Sequence, residues 1–133
     1  GGKQLRPNLH IQDYCDAVKL LLTAPSEKIK DEIFNIGYQN MSIEEIAKVV
    51  KKVVENEFTK FKEIKIIYEK SDDIRSYHIN SDKIKSVLGF IPQRSIEMAV
   101  KELCQSFKNK TFANTFENDF YFNVKRLKNI KAS

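Results

Sequence analysis

Arginine is scarce in this 133-residue chain, and two of its four arginines stand beside turns or strand-to-helix junctions. Arg6 precedes the stretch PNLHIQD, and Arg75 lies within SDDIRSYHIN. A guanidinium can grip two oxygens of one phosphate through parallel N–H bonds, a geometry that a lysine ammonium cannot reproduce. The chemistry such a pair could do is anion recognition. Read from the residues alone, Arg6 and Arg75 are more simply surface charges, or partners of Asp13, Asp72 or Asp73.

Bond-making chemistry has little to start from. The two histidines, His10 and His78, fall in extended segments, and nothing in the spacing sets either beside a nucleophile. Most carboxylates belong to charged helical faces. Cys15 and Cys104 have no metal-ligand spacing and are too few for a disulfide framework. Each lies on the apolar side of a predicted helix and is expected to be a buried free thiol, which suits a reducing compartment. No glycine-rich nucleotide loop, zinc spacing or RNA-binding motif is present. No catalytic, cofactor or metal residue is therefore assigned.

The formal charge of +5 raises the question of an anionic macromolecule. Most of the lysines alternate with glutamates, as in EKIKDE and KFKEIKIIYEK, which is the pattern of a solvated surface. Only the tail NVKRLKNIK concentrates positive charge, through Lys125, Arg126, Lys128 and Lys131. A stand-alone basic module for nucleic acid or another anionic partner is the alternative reading. It is disfavoured because the basic residues are scattered and the aromatics fall at core-like spacing. No apolar run approaches the roughly 18 residues that would span a bilayer, and the first residues lack a signal-peptide core. A cytoplasmic protein with no membrane partner is expected.

The elements that would position the arginines follow from periodicity. Residues 4–11 alternate as a short strand, with Pro7 arguing for an edge position. A helix is expected over 13–24, with Asp13 as its N-cap, inward-facing Tyr14, Ala17, Val18, Leu21 and Leu22, and a stop at Pro25. EIFNIG (32–37) reads as a buried strand closed by Gly37. Ser42 and Glu45 form an S-x-x-E capping box before a helix whose apolar face is Ile43, Ile46, Ala47, Val50 and Val54. EIKIIYE (63–69) reads as a strand, followed by an extended piece to about Asn80. A helix begins near Ser81, with Ile84, Val87 and Leu88 inward and Gly89 as its stop. After Pro92, Ser95 caps a helix carrying Ile96, Ala99, Val100, Leu103 and Phe107. The tail 108–133 fits either a strand at FYFNV or a helix through Phe116, Phe120, Val124 and Leu127. With no internal repeat or flexible linker, one mixed α/β (α+β) domain over 1–133 is the economical reading.

Three segments in this order carry a resemblance. Arg6 with His10-Ile11-Gln12-Asp13, then Phe34-Asn35-Ile36-Gly37 with Ser42 to Ile46, then Ser81-Asp82-Lys83 to Pro92 resemble the C-terminal half of NAD-dependent nucleotide-sugar epimerases and dehydratases, the extended short-chain dehydrogenase/reductases. The matching segments cover about residues 2–107. The resemblance implies a small substrate-binding lobe that closes on a nucleoside-diphosphate sugar, without the main Rossmann domain that binds NAD. It implies that Arg6 contacts the substrate diphosphate and that Arg75 contributes from the opposite side. Asn35 and Gly37 would sit near the central strand of the lobe in structural roles.

The departures are large. The family's glycine-rich NAD loop, its Tyr-x-x-x-Lys pair and its Ser/Thr partner are absent. Tyr14 to Val18 fails the pattern because valine stands in the place of lysine, and Tyr77 to Ser81 fails likewise. The resemblance thus implies a separately produced C-terminal part of an enzyme. Its missing partner would be the N-terminal Rossmann domain, and NAD would be a cofactor of the parent enzyme and not of this chain alone. Apolar residues of helix 13–24 that would pack on the absent domain raise the prospect of self-association.

Overall fold

The computed structural model describes residues 1–70, 72–73 and 75–130. Its elements run β1 (Leu5–Asn8), α1 (Ile11–Thr23), α2 (Ser26–Ile29), β2 (Gln39–Ser42), α3 (Ile43–Glu57), α4 (Asp82–Leu88), α5 (Ile96–Lys108), a 3₁₀ turn (Asp119–Tyr121) and α6 (Asn123–Asn129). The fold is mixed α/β: among the described residues, six α-helices accompany a two-stranded sheet. The chain forms two compact units, Gly1–Lys101 and Glu102–Ser133.

In the first unit β1 and β2 pair antiparallel, with Leu5 opposite Ser42, Arg6 opposite Met41, Pro7 opposite Asn40 and Asn8 opposite Gln39. Pro7 brings no N–H to the ladder, which a two-stranded sheet tolerates because both strands are edges. A third stretch runs beside β1 without forming a ladder. Tyr77 N–H donates to Leu5 O at 3.0 Å, and the Leu5 N–H donates to Ser76 Oγ at 3.0 Å. Asn40 holds Ile79 through both ends of its amide, accepting from Ile79 N and donating to Ile79 O, each at 2.9 Å.

The helices start and stop where local chemistry tells them to. At α3 the capping box forms: Ser42 Oγ accepts from Glu45 N at 3.2 Å, and Glu45 Oε2 accepts from Ser42 N at 2.7 Å. Gly89 ends α4 with φ of +70°, the left-handed conformation that glycine adopts without a Cβ clash. Ser95 Oγ accepts from Met98 N at the start of α5. At α1 the expected cap is corrected. His10 is the N-cap, its Nδ1 accepting from Gln12 N at 3.1 Å, and Asp13 lies in the first turn of the helix.

Two expected strands are absent among the described residues, and in each a backbone group is satisfied by a side chain instead of a neighbouring strand. In 32–37 the Gly37 N–H donates to Ser81 Oγ at 2.8 Å, and that hydroxyl donates back to Gly37 O at 3.0 Å. A Cβ on Gly37 would lie 2.5 Å from Ile79 Cγ2, so this close approach requires glycine. In 63–69 the Ile64 N–H donates to Glu55 Oε1 at 2.7 Å, a helix side chain in place of a neighbouring strand.

The core of the first unit centres on Ala17 of α1, Val53 of α3 and Ile84 of α4. Several residues expected to face inward do not. On α1, Tyr14, Val18 and Leu22 are exposed, as is Cys15, which corrects the expectation of a buried thiol there. Ile43 and Val50 are exposed on α3, and Leu103 and Phe107 on α5.

In the second unit Cys104 is buried, as expected. Phe112 meets Phe107 and Tyr121 edge-on, with ring centroids 5.3 and 6.2 Å apart. Asn118 caps the 3₁₀ turn, its Oδ1 accepting from Phe120 N at 3.0 Å. The tail is helical at 123–129, so FYFNV is not a strand. Lys131, part of the expected basic cluster, lies outside the described residues.

Candidate anion-binding site

Arg6 sits on β1, and Arg75 lies on the stretch that runs beside it, so the strand edge brings the two together across 69 positions of sequence. Arg6 Nη1 donates to Leu5 O at 2.9 Å and to Arg75 O at 2.6 Å, while its Nη2 reaches Asp73 Oδ2 at 3.3 Å. Arg75 takes the same carboxylate in a bidentate grip, Nε to Oδ1 at 2.7 Å and Nη2 to Oδ2 at 3.0 Å. Both guanidinium carbons also lie over the Tyr77 ring, at 5.2 Å for Arg6 and 5.9 Å for Arg75. Cation–π attraction adds modestly to each placement at such exposed sites.

Asp73 is thus the shared partner, one of the three aspartates to which the residues alone pointed. The Arg75 hydrogen bonds, helped by the charges of Arg75 and Arg6, hold its carboxyl down at about 2. The same pairing raises the affinity of Arg75 for its proton. Gln4 steadies the loop by donating from Nε2 to Asp73 O at 2.7 Å. Each guanidinium has five N–H donors. Arg6 directs three of them and Arg75 directs Nε and Nη2 to these partners, so each keeps donors for a further oxygen. The arrangement can bind an anion.

A second polar cluster escaped sequence reasoning. Asp13 is fully buried and accepts from the backbone N–H groups of Gln93 at 3.1 Å and Arg94 at 2.8 Å. Arg94 Nη1 bonds Asp13 Oδ1 at 2.5 Å and Asp16 Oδ2 at 2.9 Å. This latch ties α1 to the turn before α5. The usable signal was an arginine beside the predicted cap of α5, with an aspartate four residues before the buried Ala17. The latch borders a cleft of about 190 Å³ lined in part by His10, Tyr38, Gln39, Arg94 and Ser95. His78 is exposed on its extended segment. Among the described residues no cluster of histidine, cysteine and carboxylate side chains could hold a metal ion, and no helix is long and apolar enough to cross a membrane.

No family model matches this chain, and no curated protein matches its sequence. A solved structure does resemble it: the UDP-glucose 4-epimerase with UDP-glucose from the hyperthermophilic eubacterium Thermotoga maritima, at a TM-score of 0.63 and 21% identity over 84% of this chain. The chain spans 34%, about a third, of that protein's length. At this identity the likeness concerns the fold, and this mixed α/β chain is similar in fold to part of a nucleotide-sugar epimerase.

Proposed function

We propose that this chain is the nucleotide-sugar-binding part of an NAD-dependent nucleoside-diphosphate-sugar epimerase or dehydratase. In this reading Arg6 and Arg75 face the substrate diphosphate. The observation that carries it is the convergence of these two arginines on one ring and one carboxylate at the edge of β1, in a fold similar to part of an epimerase. The diphosphate oxygens accept from the guanidinium donors that remain, and Tyr77 keeps the two cations close to each other. That grip orients the sugar but moves no proton or hydride.

The chain's own residues do not suit a dinucleotide. Among the described residues the two strand-to-helix junctions, Leu9-His10 after β1 and Ser42 before α3, lack the glycine-rich turn that lets a pyrophosphate approach a helix N-terminus. Oxidation and reduction of the sugar therefore belong to a Rossmann domain outside these residues, and this chain alone is not catalytic. Charge-assisted hydrogen bonds contribute about 1.5–3 kcal/mol each, so two of them give a dissociation constant on the order of 1 mM. The test is a chemical-shift titration of the ¹⁵N-labelled chain with UDP-glucose, alongside a turnover assay with NAD supplied. Saturable shifts at Arg6, Arg75 and Tyr77 without turnover support the reading. Turnover by this chain, or shifts confined to other residues, would overturn it.

A further inference from the structure

We propose that Asp73 is a positioning residue for this anion site, holding the guanidiniums of Arg6 and Arg75 together with donors to spare for a diphosphate. The inference rests on the reading above and deepens it. Two guanidiniums gathered at one tyrosine ring repel each other, and a single carboxylate that contacts both offsets that repulsion. Arg75 has the greater need of an anchor, because its side chain is 70% exposed and otherwise able to sample many rotamers.

An anion such as Asp73 could instead be a competitor that the diphosphate has to displace. The bonding pattern decides between the two. Asp73 takes the edge of Arg75 formed by Nε and Nη2, and the second fork, formed by Nη1 and Nη2, lies outside that grip. On Arg6 it takes Nη2, at 3.3 Å, while Nη1 is directed to the carbonyls of Leu5 and Arg75. A phosphate oxygen can therefore be accepted without breaking the carboxylate contacts. Asp73 is itself placed by the backbone: its Oδ1 accepts from Arg75 N at 3.2 Å, and its carbonyl accepts from Gln4. Asp73 thus bonds both the backbone and the side chain of Arg75.

The experiment compares the wild-type chain with Asp73→Asn, Asp73→Glu and Arg6→Ala, using UDP-glucose and inorganic pyrophosphate as probes. The arginine Nε–H signals are followed by NMR in the same samples without ligand. Expected is a sharp, slowly exchanging Nε–H signal for Arg75 in wild type that is lost in Asp73→Asn. Affinity for both probes falls at least about tenfold in that variant, with partial recovery in Asp73→Glu. Unchanged or tighter binding by Asp73→Asn, with Arg6→Ala still weakened, overturns the positioning role and leaves the diphosphate reading standing. Binding indifferent to Arg6→Ala, or none in wild type, overturns the diphosphate reading and the proposal with it. Wild-type signals as mobile as those of Asp73→Asn overturn the positioning role whatever the ligand does.

Discussion

The buried carboxylate of Asp13 offers the sharpest mechanical test of this fold. Replacing it by alanine removes the acceptor for the Gln93 and Arg94 backbone N–H groups and one of the two partners of the Arg94 guanidinium. Each orphaned buried donor costs about 1–3 kcal/mol, and breaking a fully buried ion pair costs about 3–5 kcal/mol. The Arg94 side chain is 30% exposed and keeps Asp16, so its charge is partly resolvated and the ion-pair loss falls below that range. A destabilisation of about 3 kcal/mol follows for Asp13→Ala, a large fraction of the roughly 5–15 kcal/mol that holds a domain together. For a chain of this size that lowers the unfolding midpoint by about 10 °C, read by far-ultraviolet circular dichroism at pH 7. Asp13→Asn keeps an oxygen acceptor and should melt between wild type and Asp13→Ala. Asp16→Ala removes only an exposed partner and should change the midpoint little. If Asp13→Ala melts no lower than Asp16→Ala, the latch does not hold α1 in place and the reasoning fails.

Other outcomes follow from the same geometry. Ser42→Ala removes the hydroxyl of the α3 capping box and should cost on the order of 1 kcal/mol in urea unfolding, with no change in denaturant slope. Asp73 binds its proton more weakly folded than unfolded, so its stabilising contribution is complete above its ordinary value of 3.8 and is lost as the pH falls towards about 2. A ¹³C titration of its carboxyl should find the low midpoint, and a midpoint near 3.8 would mean that the two arginines are not held against it. The exposed apolar stripe of α1, Ile11, Tyr14, Val18 and Leu22, should make the chain self-associate with rising concentration. Light scattering should show Leu22→Glu restoring a monomer, and a wild-type chain monomeric at every concentration would remove that expectation.

What could be read beforehand was local. The helices over 43–57, 82–88 and 96–108 announced themselves through periodicity, the Ser42 capping box and Gly89, signals that a few neighbouring residues carry in full. The strands were harder, because apolar alternation says that a segment is half-buried and does not say what satisfies its backbone. Gly37 of EIFNIG and Ile64 of EIKIIYE bond to the side chains of Ser81 and Glu55, whereas β2 forms on QNMS, which has no apolar alternation. Asp13 is the same lesson in a polar residue: it stands where a helix cap could be, and its true partners lie 80 and 81 positions away. Helical spacing put Cys15 on an apolar face without saying that this face is exposed. Of the site, Arg6 and Arg75 stood out as scarce arginines beside junctions, and the family resemblance is what turned them from surface charges into candidate diphosphate contacts. Their shared anchor was visible only as one of three nearby aspartates, and the Arg94 cluster was not found.

The central claim is that this chain grips a nucleoside diphosphate through Arg6 and Arg75, and its most direct test is one comparison of affinities. UDP-glucose and free glucose are titrated at low salt into the wild-type chain, Arg6→Ala and Arg75→Ala. The account predicts a dissociation constant on the order of 1 mM for UDP-glucose in wild type, weakened about tenfold in either variant, and no binding of glucose. Equal affinity in wild type and Arg6→Ala, or binding of glucose as strong as that of UDP-glucose, would contradict it.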